Sequence, residues 1–300
     1  MRYQYFLCDV FSDRQFGGNQ LAVLPNAVGL RTAQMQQIAR EFNFSESAFV
    51  FPAEAGGTRK VRIFTPTDEV PFAGHPNIGT AFVLAASGAL GKFGEQLDVV
   101  FEELAGMVPI RICRRAGERI WCELAAPEAL SLSPPIDLAL VARAANLIEA
   151  DFMTQSHPPL HASVGLKFIL AEVTDRAALA RSRPNTEGFE ALRDGGTGPP
   201  DLLLYTRSAD EYDLRARMYA PLDNVPEDPA TGSANCALAG LLTLLNNAEH
   251  GEFAYRIAQG VEMGRPSVLE ARARKRDGVV ETVWIGGESV MVAEGQMDIA

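Results

Sequence analysis

Residues 62–71 read Arg-Ile-Phe-Thr-Pro-Thr-Asp-Glu-Val-Pro, and residues 217–226 read Arg-Met-Tyr-Ala-Pro-Leu-Asp-Asn-Val-Pro. The arginine, both prolines, the aspartate and the valine keep their places. A short gap follows, and then His75-Pro76-Asn77-Ile78-Gly79-Thr80-Ala81 matches Asp228-Pro229-Ala230-Thr231-Gly232-Ser233-Ala234. Either match alone is weak, because proline and glycine are common in turns. Both together, in one order, make a chance pairing improbable. The offset is about half the chain, so each half carries one copy. A solenoid repeat recurs more often than this. Two related domains account for the pattern better.

Working outward, Val61–Thr65 and Arg215–Tyr219 have strand composition and alternation, and the prolines after them end the strands. His75-Pro76 and Asp228-Pro229 read as helix starts, where proline's missing N–H is not needed. The segments Thr80–Leu90 and Ser233–Leu245 are apolar nearly all round, which marks a helix buried on every side. Short β-rich segments supply the wrapping: Leu21–Leu24, Ser47–Phe51, Leu97–Phe101, Val108–Cys113, Ile120–Leu124, Lys167–Leu170, Leu202–Tyr205, Val268–Ala273 and Val279–Ile285. The expected fold class is α+β, with two pseudo-symmetric domains. Each is a curved, mostly antiparallel sheet rolled around a central apolar helix. The expected boundaries are 1–125 with a returning strand at about 284–300, and 126–283, with Ala125–Pro135 as the linker.

Composition narrows the function. The chain is 47% hydrophobic and 22% charged, ordinary for a globular protein. Its net charge of −11, from 27 basic and 38 acidic residues, repels a phosphate backbone, so nucleic acid is not an expected partner. The four cysteines, Cys8, Cys113, Cys122 and Cys236, lack CxxC spacing and read as free thiols in a reducing compartment. The opening MRYQYFLCDVF reads as a strand, not a signal peptide, and no apolar stretch is long enough for a bilayer. A cytoplasmic location without membrane attachment follows as the expectation. Gly17-Gly18 and Gly56-Gly57 fit neither dinucleotide nor P-loop patterns. His157 and His161 are separated by Pro158-Pro159 and lack the HExxH pattern. No metal and no cofactor are expected.

Two matching helix starts offer two sets of unsatisfied backbone N–H groups and two positive dipole ends, a ready site for an anion. If they converge, a small carboxylate-bearing substrate is the obvious tenant. Gly74, Gly79 and Gly232 would let it approach the backbone. Glu46 sits where a helix pattern over Thr32–Glu41 gives way to a strand, which by itself makes it only a candidate.

Asn43-Phe44-Ser45-Glu46-Ser47, Gly74-His75-Pro76, Glu227-Asp228-Pro229-Ala230-Thr231-Gly232-Ser233-Ala234 and Gln259-Gly260 through Met263-Gly264-Arg265-Pro266-Ser267, in that order, resemble the PhzF (phenazine biosynthesis-like) family. Asp9-Val10-Phe11 with Gly18-Asn19 and Leu21-Ala22-Val23 is similar too. The resemblance spans the chain and implies the diaminopimelate epimerase-like fold, which agrees with the repeat. It implies Glu46 as catalytic acid/base, with His75 and Asp228 beside the substrate. It implies Gly74, Gly232, Ser233, Gln259 and Asn19 as substrate-binding residues, no cofactor, and a homodimer. Asn77, Gln20 and Ser47 depart from the commoner family residues and bear on substrate identity.

Epimerases of this fold use two cysteines at the repeat motifs, and none stands here. The chemistry that fits is a one-base isomerisation. Glu46, its pKa raised by burial and by Asp228, takes a proton from one carbon of a small cyclic amino or hydroxy acid and returns it to another. The alternatives are a non-catalytic binding protein with the same cleft, and an amino-acid epimerase or racemase.

Overall fold

The computed structural model describes residues 1–196 and 198–299. The chain divides into two compact units, Met1–Leu124 with Gly286–Ala300, and Ala125–Ile285. Among the described residues, no helix is long and apolar enough to cross a membrane.

The first unit runs β1 (Arg2–Val10), β2 (Asn19–Leu24), α1 (Thr32–Phe42), β3 (Glu46–Phe51), β4 (Arg59–Phe64), β5 (Glu69–Val70), α2 (Gly74–Ala86), β6 (Gln96–Glu103), β7 (Gly106–Arg114) and β8 (Ile120–Ala125). β1–β2, β3–β4, β4–β5, β6–β7 and β7–β8 pair antiparallel, while β2–β3 and β4–β6 are parallel. From His75 to Ala85 every residue of α2 is buried, packed against β1, β2, β3 and β7. A helix with no polar face has to be enclosed in this way. On the other face of the sheet, α1 lays Met35, Ile38 and Ala39 against Phe49 and Phe64.

The second unit runs β9 (Ser131–Pro135), α3 (Leu138–Ala144), β10 (Leu160–Ser163), β11 (Lys167–Glu172), α4 (Arg176–Arg181), α5 (Thr186–Asp194), β12 (Leu202–Arg207), β13 (Leu214–Ala220), β14 (Val225–Asp228), α6 (Gly232–Leu245), β15 (Gly251–Gln259) and β16 (Ser267–Arg276). The last strand, β17 (Val279–Asp298), carries the chain back to the first unit, where its end pairs antiparallel with β1. From β10 the pairing order repeats that of the first unit. β10–β11 is antiparallel, β11–β12 parallel, β12–β13 and β13–β14 antiparallel, β13–β15 parallel and β15–β16 antiparallel. The buried helix α6 again packs inside, against β10, β11, β15 and β16.

Side chains repeat with the strands. Arg62 on β4 grips Glu69 through Nε (2.7 Å) and a terminal nitrogen (2.6 Å), and lies 5.2 Å over the Phe64 ring. Arg217 on β13 grips Glu227 through the same two atoms, both at 2.8 Å, and lies 5.3 Å over the Tyr219 ring. Each bidentate fork ties a short strand to its longer neighbour.

These pairs also correct the register of the repeat. Glu69 matches Glu227, not Asn224, so the loop before it is three residues longer in the second unit. Ile63 faces Val70 and Met218 faces Asp228, which makes Val70 the counterpart of Asp228. Four residues later each helix begins, at Gly74 and Gly232. Asn77 Nδ2 donates to the Ala73 carbonyl at 3.1 Å, and Asn235 Nδ2 donates to the Thr231 carbonyl at 2.9 Å. The structural match is therefore Gly-His-Pro-Asn (74–77) with Gly-Ser-Ala-Asn (232–235). His75 is the counterpart of Ser233, and Asp228-Pro229 lies in a strand and bend instead of starting a helix.

Three further differences have physical causes. α2 stops at Ala86, not Leu90, because Gly88 takes a left-handed φ of 78°. Ser131–Pro135, expected within a linker, is a strand paired with β10. α3, α4 and α5 were not expected. They cover the outer face of the second sheet, burying Val141, Ala144, Leu179, Phe189 and Leu192.

Candidate active site

In the first unit, α1 ends at Asn43, whose left-handed backbone (φ 53°) turns the chain while its N–H bonds Ala39 O at 3.0 Å. Three residues later β3 begins at Glu46. Along β3, Phe49 packs in the cluster with α1, so by strand alternation Glu46 faces the α2 side. His75, 6% exposed, occupies the second position of α2, and its Nδ1 is 3.5 Å from Glu46 Oε2. The Glu46 side chain is 19% exposed, yet Oε2 itself is buried and makes no hydrogen bond. Burial pushes this carboxyl up to about 7, held back in part by the Ser45 hydroxyl. Burial is the largest cause of the rise. Ser45 Oγ also donates to Asn19 Oδ1 at 3.1 Å, which joins the buried Asn19 to the same corner. Gly74 opens α2, and no side chain caps that helix.

In the second unit, Asp228 ends β14 at 9% exposure and accepts a hydrogen bond from Thr231 Oγ1. Gln259, wholly buried, knits the turn together. Its Nε2 donates to Asp228 O (2.8 Å) and Thr231 Oγ1 (3.1 Å), and its Oε1 accepts from Asn235 Nδ2 (2.7 Å) and Thr231 N (3.2 Å). After it, Gly260 adopts φ 72°, and a Cβ there would collide with the Arg265 and Pro229 carbonyls. Gly232 and Ser233 begin α6, which also has no side-chain cap. Within one unit, then, Glu46, His75 and Asn19 come together, and within the other, Asp228, Gln259, Gly232 and Ser233.

Gly79 has a different role from the one expected. It lies inside α2, where a Cβ would sit 2.5 Å from Leu21 Cδ2 and 2.6 Å from Val10 Cγ2. It serves close packing of helix on sheet, not ligand approach. The two candidate metal histidines are occupied structurally. His157 contacts the Tyr205 hydroxyl (2.7 Å) and Pro158 O (2.8 Å), and His161 Nε2 contacts Pro199 O (2.7 Å). Among the described residues, no group of three or more His, Cys, Asp or Glu could hold a metal ion.

Two acidic residues escaped the sequence reading. Glu103, at the end of β6, has both oxygens buried without a hydrogen bond, and burial pushes it up to about 8. Asp201 precedes β12, and burial with nearby Asp223 pushes it up to about 7. Because Ser47 pairs with Phe64 and Leu202 with Tyr219, Asp201 stands in its unit where Glu46 stands in the other. The corrected repeat is the signal that finds both.

The family model of the phenazine biosynthesis-like proteins, PhzC-PhzF, matches residues 8–295. The chain belongs to the PhzF family. A relative in Pseudomonas aeruginosa, named trans-2,3-dihydro-3-hydroxyanthranilate isomerase, is 34% identical over 98% of this chain and 99% of its own. A PhzF-family protein from Bacillus anthracis, 22% identical, superimposes over the whole of both chains with a TM-score of 0.90. A hydroxyproline epimerase from Agrobacterium vitis, 15% identical, covers 99% of this chain and 91% of its own at a TM-score of 0.64. The last two are likenesses of fold, and they place the PhzF chain in the epimerase-like α+β class. Its enzyme class is isomerase.

Proposed function

We propose that this PhzF-family isomerase moves a proton between carbons of a small, cyclic, carboxylate-bearing amino or hydroxy acid, with Glu46 as the acid/base and no cofactor. The observation that carries the proposal is the placement of Glu46, whose Oε2 is buried without a hydrogen bond 3.5 Å from His75 Nδ1. A carboxyl that titrates at about 7 is near equally ready to accept and to return a proton at neutral pH, the condition general acid–base catalysis favours. His75, on the first turn of α2 and 3.5 Å from Glu46, is placed to exchange a proton with a substrate hydroxyl or amine. The proposal carries Asp228, Gly232, Ser233 and Gln259 into the substrate-handling set, on the resemblance and on their shared turn. The name of the Pseudomonas relative supports the substrate class.

One-base transfer also suits the thiols. Cys8 and Cys122 are held protonated by burial, and Cys236 is shut inside α6 at 2% exposure. The corrected repeat makes Ser233 the counterpart of His75 and Asp228 the counterpart of Val70, so the two units carry different chemistry at equivalent positions.

The test is incubation with trans-2,3-dihydro-3-hydroxyanthranilate in deuterated water. Deuterium should enter a C–H position, and Glu46→Gln should lose on the order of a hundred- to ten-thousand-fold in exchange while still binding. Wild-type exchange by Glu46→Gln removes Glu46 from the mechanism. Tight binding without exchange by the unaltered protein identifies a binding module.

A further inference from the structure

In the second unit, α6 begins on a braced turn, with Asn235 Nδ2 bound to both Thr231 O and Gln259 Oε1. The parallel registers show what stands in the place of Gln259 in the first unit. Arg59 and Lys60 of β4 lie beside Phe101 and Glu102 of β6, while Leu214, Arg215 and Ala216 of β13 lie beside Ile257, Ala258 and Gln259 of β15. With Arg62 matched to Arg217, the next step along β6 sets Glu103 opposite Gln259. Asn77, the counterpart of Asn235, lies near enough to the Glu103 carboxyl to lower its pKa, but where Asn235 bonds Gln259 at 2.7 Å, both Glu103 oxygens and Asn77 Oδ1 are buried without a partner.

Gln259 uses its amide as donor and acceptor at once, binding Asp228 O through Nε2 and Thr231 N through Oε1. A protonated glutamate offers the same pair of functions in nearly the same shape, whereas a carboxylate only accepts. Both Glu103 oxygens are buried, a setting that penalises the charge.

We propose that Glu103 is the first unit's equivalent of Gln259, a neutral carboxylic acid that braces the first turn of α2 through Asn77 and so positions His75. Among the described residues, no cation is among the causes that shift its carboxyl. Glu102, on the opposite face of β6, accepts from the N–H groups of Glu54, Ala55 and Gly57. Lys60 pairs with Glu54, and Arg59 donates to the carbonyls of Thr58 and Ala89. On β7 the neighbours are Gly106 and Met107. On α2, His75 faces Glu46. Burial raises the Glu103 carboxyl, and Asn77 only partly offsets it. The positioning role rests on the function proposed above; the neutral, glutamine-like state does not.

The experiment uses the full chain, labelled with carbon-13 at glutamate carboxyls and nitrogen-15 in histidine rings. The carboxyl resonance absent from Glu103→Gln identifies residue 103 and should titrate with a midpoint near 8. The thermal midpoint of Glu103→Gln should gain on the wild type as pH rises from about 5 to about 8, since glutamine cannot ionise. The His75 ring signals should be kept in Glu103→Gln and displaced in Glu103→Ala. A carboxyl midpoint near the usual ~4.3, or a stability difference independent of pH, overturns the neutral state. His75 signals unmoved in Glu103→Ala overturn the bracing. If Glu103→Ala does not fold, the glutamine variant and the wild-type titration decide. None of these readouts uses turnover, so inactivity toward a chosen substrate leaves them intact.

Discussion

Replacing Glu46 by glutamine should make the folded chain more stable, and the gain should depend on pH in a defined way. In the unfolded chain this carboxyl ionises near its ordinary 4.5, but in the folded chain it keeps its proton to about 7. Between those values the folded state binds more protons than the unfolded state, so rising pH destabilises it. Below the lower value both states are protonated and the penalty vanishes. Above the upper value it is complete. The interval of about 2.5 pH units, at about 1.4 kcal/mol each, makes the full penalty about 3.5 kcal/mol. Glutamine keeps the shape without the ionisation. Urea unfolding of both proteins between pH 4 and pH 8.5 should therefore show coincident stabilities at the acid end. The variant should pull ahead through the middle of the range and lead by about 3.5 kcal/mol at the alkaline end. A constant difference across the range, or a variant less stable at pH 8, refutes the claim that folding holds Glu46 protonated. The catalytic assignment gains from the opposite direction of the activity change, since strained active-site groups trade stability for function.

The two arginine forks should differ in cost. Arg217 is 3% exposed and Arg62 is 22% exposed. Arg217→Ala empties a buried site and leaves the partly buried Glu227 charge unpaired, and should cost about 3 kcal/mol, whereas Arg62→Ala should cost about 1 kcal/mol; equal losses by denaturant titration would contradict the burial argument. Gly79→Val drives a branched side chain into Leu21 and Val10 and should cost upward of about 1–3 kcal/mol. An unchanged unfolding midpoint for that variant would mean α2 does not sit against β1 and β2 as described.

How far the sequence could be read depended on which physical signal each residue carried. The segments Thr80–Leu90 and Ser233–Leu245, apolar nearly all round, announced enclosed helices, because no exposed helix survives without a polar stripe. Alternation marked β3, β4, β7 and β13 to within two residues. The repeat was visible through its prolines, yet proline spacing misled the alignment beyond residue 66. Prolines follow loops, and the second loop is three residues longer; only the Arg–Glu forks and Asn brackets, which need three-dimensional contact, fix the register. Glu46 drew notice through the resemblance, since a glutamate opening a strand is ordinarily solvated. Glu103 gave no such notice, lying in Phe-Glu-Glu-Leu beside a second glutamate that binds three backbone N–H groups. Nothing in one dimension distinguishes the two. The short helices α3–α5 fell among charged and proline-containing stretches whose apolar positions were too few to register as a period.

The strand β17 carries a lesson about timing. Its twenty residues form one continuous ribbon, whose beginning belongs to the second unit and whose end lies along β1, from Val10 against Ser289 to Arg2 against Asp298. On the ribosome, the segment 131–276, which holds β9 to β16, is made as one run before β17 follows. The first unit's opening ribbon must wait through more than two hundred further residues for its neighbour. The customary order, in which the earlier-made domain settles first, is thereby inverted for half of this molecule. Until synthesis reaches Asp298, one edge of β1 stands exposed, an invitation to errant pairing that residues 289–298 withdraw.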